Sequence, residues 1–195
     1  EAERAGERLT PWSARRVTAA AHYQRAEVAR LRGEYDVAAP EYEAAALAGA
    51  SPQPGLALLR LAQGDVEQAT RGLAGALAEA TDPGRRARLL PAAVEIALAD
   101  DRLEEARTAA GELSNLASGF GAPALVVVAD HAAAAVSLAA GDVEDAAATL
   151  RKVVTAWMDM SSPYQAARAQ VLLGLAHRSL GDADGAASSF AAARA

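Results

Sequence analysis

Polar and apolar positions follow one another in a fixed order at five places along the chain. A small turn residue, an acidic or polar residue, an apolar residue, an acid, a variable residue and an alanine occupy 33–38 (GEYDVA) and 64–69 (GDVEQA). The same order returns at 101–106 (DRLEEA), 141–146 (GDVEDA) and 181–186 (GDADGA), with spacings of 31, 37, 40 and 40 residues. Seven residues before each turn stand Ala26, Ala57, Val94, Ala134 and Gly174, small enough to let two backbones approach. Nine residues after it stand Tyr42, Leu73, Ala110, Leu150 and Phe190, and twelve after it Ala45, Ala76, Leu113, Val153 and Ala193. Pro52, Pro83, Pro123 and Pro163 follow the second apolar stretch of each complete unit.

A period of this length is the mark of a helical solenoid. Each unit reads as a helix, a tight turn, a second helix and an exit marked by proline. Glycine supplies the left-handed backbone that ends the first helix, and the acid after it suits the N-terminus of the second. Asp101 stands where the other copies have glycine, and aspartate tolerates that backbone better than most residues. Thr10-Pro11, Ser51-Pro52, Asp82-Pro83 and Ser162-Pro163 read as an N-cap followed by a first-turn proline. The resulting helices are 11–32, 35–49, 54–63, 66–80, 83–99, 102–118, 123–140, 143–160, 163–180 and 183–194. Pro40 falls close to the start of its helix, whereas Pro91 lies deep enough to bend or break 83–99. Gly119-Phe120-Gly121 is a connector between units, since no strand precedes it and no further glycine follows at phosphate-loop spacing.

Composition agrees with an all-α reading. Alanine makes up 55 of 195 residues, which favours helix and close helix packing, and eight aromatics are too few for a β-sandwich or barrel. The net charge of −6 argues against this segment gripping a phosphate backbone, which takes clustered Lys and Arg. With no cysteine, disulfides, thiolate nucleophiles and cysteine metal sites are excluded. The longest uncharged stretch, 113–129, contains Ser114, Asn115, Ser118, Gly119, Gly121 and Pro123, so it is not an apolar membrane span of about 20 residues.

Inventory leaves little for catalysis. His22, His131 and His177 have no one-turn partner for a helical zinc pair, and the chain holds no Gly-x-Ser-x-Gly elbow, Walker lysine loop or Ser-x-x-Lys nucleophile. Acidic pairs such as Asp100-Asp101 and Glu104-Glu105 fall at helix ends or on solvated faces. No enzymatic activity, metal or cofactor is therefore expected. Trp157 and Met160, one turn apart, read as packing on the next pair, and Trp12 as a cover for the end of the stack or a contact to a preceding repeat suggested by residues 1–9. Open ends of such a stack leave apolar faces through which two copies could dimerise.

The small residue before the turn, the glycine-acid turn, the alanine and bulky residue after it and the exit proline together resemble the tetratricopeptide repeat (TPR), though these units are longer. The usual aromatic of the first helix is replaced by Ala29, Arg60, Ala97, Ser137 and His177. The resemblance implies an all-α, right-handed α-solenoid of about five helix-turn-helix repeats, forming one domain over 1–195 with repeats at roughly 11–50, 51–82, 83–121, 122–161 and 162–195. It also implies an inner groove lined by first helices: Tyr23, Glu27 and Arg30, then Leu58, Arg88 and Glu95, and finally His131, Leu138, Arg168, Leu175 and Arg178. Four of these are arginines, suited to carboxylates, phosphates or an acidic peptide. Equally, they can pair with Glu27, Glu95 and neighbouring acids. The C-terminal carboxylate clamp of chaperone-binding TPR proteins cannot be built here, because Lys152 and Asn115 both lie on second helices.

The phrases PQPGLALLRLAQG (52–64), RARLLPAAVEI (86–96) and PYQAARAQVLLGLA (163–176) resemble the helical-repeat region of actinobacterial LuxR-type transcriptional regulators. That resemblance implies a cytoplasmic, noncatalytic sensor or interaction module, a fragment of a longer chain, that binds a protein, peptide or small-molecule effector. DNA would be contacted only through a helix-turn-helix domain outside this segment. A free-standing adaptor scaffold is the alternative.

Overall fold

A computed structural model describes residues 2–194, with side chains described from residue 15 onward. Among the described residues ten helices form two compact units, Glu1–Glu79 and Ala80–Ala195. The first contains α1 (Ala2–Leu31), α2 (Tyr35–Leu47), α3 (Gly55–Ala62) and α4 (Val66–Glu79). The second contains α5 (Pro83–Ala99), α6 (Leu103–Phe120), α7 (Pro123–Ala140), α8 (Val143–Asp159), α9 (Pro163–Ser179) and α10 (Ala183–Ala192). Within each unit every helix packs on the next, so both are stacks of antiparallel hairpins.

The turns behave as their chemistry requires. Gly33, Gly64, Gly141 and Gly181 take positive φ between 77° and 92°, and Asp101 takes 56° at the position where glycine is missing. The acid after the turn is less uniform. Asp65 accepts from Gln68 N at 3.0 Å and Asp182 from Gly185 N at 2.9 Å, whereas Glu34 and Asp142 make no side-chain cap. At the outer boundaries Asp82 accepts from Arg85 N at 2.7 Å ahead of Pro83, while Ser162 precedes Pro163 without capping.

Three prolines behave differently from expectation. Helix α1 runs through Thr10-Pro11 instead of starting there. Ser51-Pro52 is not the cap and first turn of α3 but precedes a turn with a cis Gln53–Pro54 bond; α3 itself begins at Gly55, one residue from the expected start. Pro91 does not break α5, which is continuous from Pro83 to Ala99. Pro91 is half-buried at helical spacing from Arg88 and Glu95, and the helix carries it without interruption.

Alanine dominates the buried positions, which draws helix axes together and leaves register to a few large anchors. In the first unit these are Tyr42 and Leu59, packed with Ala26, Ala29 and Ala38. In the second, Leu150, Val153, Trp157 and Leu173 interlock with Ala134, Ala147, Ala166, Ala169 and Ala176. Trp157 is thus a core residue, with Met160 against the same cluster; the side chain of Trp12 lies outside the described residues. By length and composition α7 is the one helix among the described residues apolar enough to cross a membrane. Helix α7 contacts α5, α6, α8 and α9, and Asp130 and His131 interrupt its apolar sequence.

Curvature inside the second unit follows from which helices touch. First helices contact one another, α5 with α7 and α7 with α9, while among the described residues no such contact joins α6 to α8 or α8 to α10. The layer whose members lie closer is the inner one, so α5, α7 and α9 present the concave face of this unit.

Candidate functional site

The expected groove positions fall into two groups, one in each unit. In the first, Glu27 and Arg30 lie one turn apart on α1, and Arg30 Nη2 donates to Glu27 Oε2 at 2.8 Å. Tyr42 of α2, fully buried, donates its hydroxyl to Glu27 Oε1 and accepts from Arg30 Nε at 3.3 Å. Tyr23 meets the Tyr42 ring edge-on, with centroids 5.6 Å apart. Burial opposes the Arg30 charge, but the hydrogen bonds and charge of Glu27 outweigh it and hold its pKa above the ordinary value. Burial, reinforced by Glu27, likewise holds the Tyr42 phenol above its ordinary range.

The backbone of Gly55 at the start of α3 sits directly on this trio. A Cβ there would lie 2.1 Å from Glu27 Oε1 and 2.4 Å from Tyr42 Oη. Tyr23, Glu27 and Arg30 therefore belong to a seam that joins α1, α2 and α3, with Leu58 of α3 half-buried beyond it. The pattern marked Tyr42 only as a bulky position after the turn. Its hydroxyl and the glycine above it could have been suspected only by pairing them.

In the second unit Arg168 Nη2 of α9 donates to Glu95 Oε2 of α5 at 2.6 Å. These residues stand on first helices two apart, so their side chains meet across α7, as curvature toward this face allows. Their side chains are 41% and 42% exposed, and the pair is open to solvent. His131 of α7 belongs to the same face. Burial, with the nearby Arg168 guanidinium as the second cause, pushes its pKa down to about 4, so it is neutral at physiological pH.

Arg88 lies two turns before Glu95 on the open stripe of α5, exposed and without an ion pair among the described residues. On α9, Tyr164, Arg168, Val171, Leu175 and Arg178 succeed one another at spacings of four and three, placing them along one helical stripe. Tyr164 is 49% and Val171 42% exposed, and Arg178 is exposed and unpaired among the described residues. Leu138 of α7 instead turns toward the core cluster. Of the expected arginine pairings, Arg30 with Glu27 and Arg168 with Glu95 exist, whereas Arg88 and Arg178 remain available.

The other histidines serve helix junctions. His22 Nδ1 lies 2.6 Å from Glu41, which with Arg25 holds that carboxylate below its usual range, and His177 lies 3.2 Å from the α10 cap Asp182. Among the described residues, no three His, Cys, Asp or Glu side chains gather at metal-binding range.

No family model and no curated protein matches the chain. Among solved structures it is similar to BtubC (BKLC) from P. vanneervenii, with a TM-score of 0.59 and 16% identity over 87% of this chain and 75% of that one. It is also similar to a kinesin-light-chain-like protein from Podosopora anserina with nearly identical TPR-like repeats, at TM-score 0.56 and 18% identity over 89% and 92% of the two chains. The fold is a TPR-like α-solenoid. At these identities the likeness is one of architecture.

Proposed function

We propose that the chain is a noncatalytic protein-interaction module that receives a protein or peptide on the inner face of α5, α7 and α9. The observation that carries this reading is the solvent-open stripe of arginines and apolar side chains on that layer, where repeat packing leaves side chains without a structural partner. Repeat folds of this kind bind through such continuous inner surfaces. The phrases at 52–64, 86–96 and 163–176 support a place inside an actinobacterial LuxR-type transcriptional regulator in the cytoplasm, where the module would control an attached DNA-binding domain. A bound partner would favour one curvature of the repeats and thereby release or orient the reader. A free-standing adaptor uses the same inner face and lacks only the reader.

The test joins a reporter to a binding measurement. In the regulator reading, Arg88→Gln with Arg178→Gln in the full chain changes transcription from its target promoter while duplex affinity of the reader stays the same. An unchanged reporter favours the adaptor. Tight, steeply salt-dependent duplex binding by residues 1–195 alone would contradict the proposed division of labour.

A further inference from the structure

Charge is sorted between the two layers of the second unit. Its first helices carry five arginines against two carboxylates, Glu95 and Asp130. Its second helices carry seven carboxylates against three cations. Arg86 is bound to Glu112 of α6, and the inner stripes of α5 and α9 keep Arg88, Arg168 and Arg178 against Glu95, so a chain of net charge −6 carries a cationic stripe on that layer. On that face Arg88 and Arg178 have no acid of their own, and Arg168 is held by the single carboxylate of Glu95.

Apolar side chains lie between the cations. Val171 and Leu175 separate Arg168 from Arg178 on α9, and Tyr164 extends the stripe at its other end. Ten helical residues put the two arginines about 15 Å apart along the axis. An extended chain covers that distance in about four to five residues at about 3.3 Å each. A phosphate backbone offers nothing to Val171 or Leu175, whereas a peptide alternating acids with apolar residues satisfies both kinds of position.

Resting on the interaction reading above, we propose that this face takes an extended acidic peptide with apolar side chains between its acids, and that Glu95 is an internal stand-in for one ligand carboxylate on Arg168. The half-exposed ion pair is weakly held by solvent screening, so a ligand carboxylate can replace Glu95 without unfolding anything. Arg88 and Arg178 then hold acids on either side, and His131, neutral beneath, adds no charge of its own.

The consequence is a pair of neighbouring substitutions with opposite signs. Fluorescence anisotropy of residues 1–195 is measured with a labelled glutamate-leucine peptide whose acids are spaced four to five residues apart. Its lysine-for-glutamate counterpart, a serine-for-glutamate counterpart and a single-stranded oligonucleotide are the comparisons. Glu95→Gln removes the internal competitor and should tighten the acidic peptide by about three- to tenfold, whereas Arg168→Gln should weaken it about tenfold. Both variants lose the same bridge, so a purely structural strut would move binding in one direction for both. Arg178→Gln, exposed and unpaired, should weaken binding with an unchanged melting temperature, which separates contact from folding.

Binding of the lysine or serine peptide at least as tightly as the acidic one would overturn the acidic preference yet leave the interaction reading standing. Stronger binding of the oligonucleotide, or changes of equal sign for Glu95→Gln and Arg168→Gln, would also overturn the proposal. If no peptide bound at all, the interaction reading would fall with it.

Discussion

Gly55→Ala is expected to damage the first unit although alanine is the better helix former. Propensity alone favours the substitution by at most about 1 kcal/mol, and by less at the first residue of a short helix. Space decides otherwise. The new Cβ would stand 2.1 Å from Glu27 Oε1, 2.4 Å from Tyr42 Oη and 2.6 Å from Tyr42 Cε1. The Glu27 carboxylate can swing aside, but Tyr42 is fully buried and can yield only by disturbing Ala26, Ala38 and Leu59 around it. A displaced carboxylate leaves the buried hydroxyl without its acceptor, a loss of about 1.5–3 kcal/mol for a charge-assisted hydrogen bond, and overpacking adds about 1–3 kcal/mol. Some relaxation offsets these costs, and the expected net destabilisation is about 2–4 kcal/mol.

The assay is native-state hydrogen exchange of the α1–α3 amides, which reports this region separately from the rest of the chain. A loss of 2 kcal/mol or more accelerates exchange by about thirtyfold or more wherever global opening of the region governs it. Gly75→Ala in α4 serves as the control, because a Cβ there meets nothing within 4 Å, and it should stabilise by about 0.5–1 kcal/mol. If Gly55→Ala slowed exchange, or matched Gly75→Ala in sign, the seam between α1, α2 and α3 would not be what holds them.

The unfolded chain protonates His131 near the ordinary value of 6.5, while the folded protein resists protonation down to about 4, so the unfolded state binds the extra proton between those values. Urea midpoints of the second unit should therefore be full above pH 6.5 and fall toward pH 4, by up to about 3 kcal/mol, with a shallower fall in His131→Gln; parallel pH profiles would contradict this. Gly174→Ala places a Cβ 2.6 Å from Phe190 Cε1 and should loosen α10 from α9 by about 1–3 kcal/mol, seen as faster exchange confined to α10. Asp82→Ala removes the 2.7 Å cap on Arg85 N and should cost about 1 kcal/mol in chemical denaturation, whereas Asp142→Ala, which caps nothing, should cost markedly less.

Local chemistry made most of the helix plan legible. A glycine or Asp101 at positive φ and a proline at N1 act within a few residues, so nine of the ten helix starts could be placed within one residue from the pattern. The misses come from tertiary and propensity effects. Pro91 stands inside a continuous α5, and α1 continues through Pro11, so neither proline ends its helix as local chemistry alone would suggest. Inner-face positions could be read from helical register, since Arg88 and Glu95, or Arg168 and Leu175, repeat every seven residues. Their partners could not. Glu95 and Arg168 are 73 residues apart, and their meeting depends on how far the layer bends over α7. Tyr42 likewise looked like one more bulky core position until α3 brought Gly55 onto its hydroxyl.

The layer of the second unit that takes the ligand can be read directly. Nitrogen-15 chemical-shift mapping with the glutamate-leucine peptide should move amides along α5, α7 and α9 and the side-chain Nε–H signals of Arg88, Arg168 and Arg178. Shifts confined to α6, α8 and α10, or an unperturbed Arg168 signal at saturation, would contradict it.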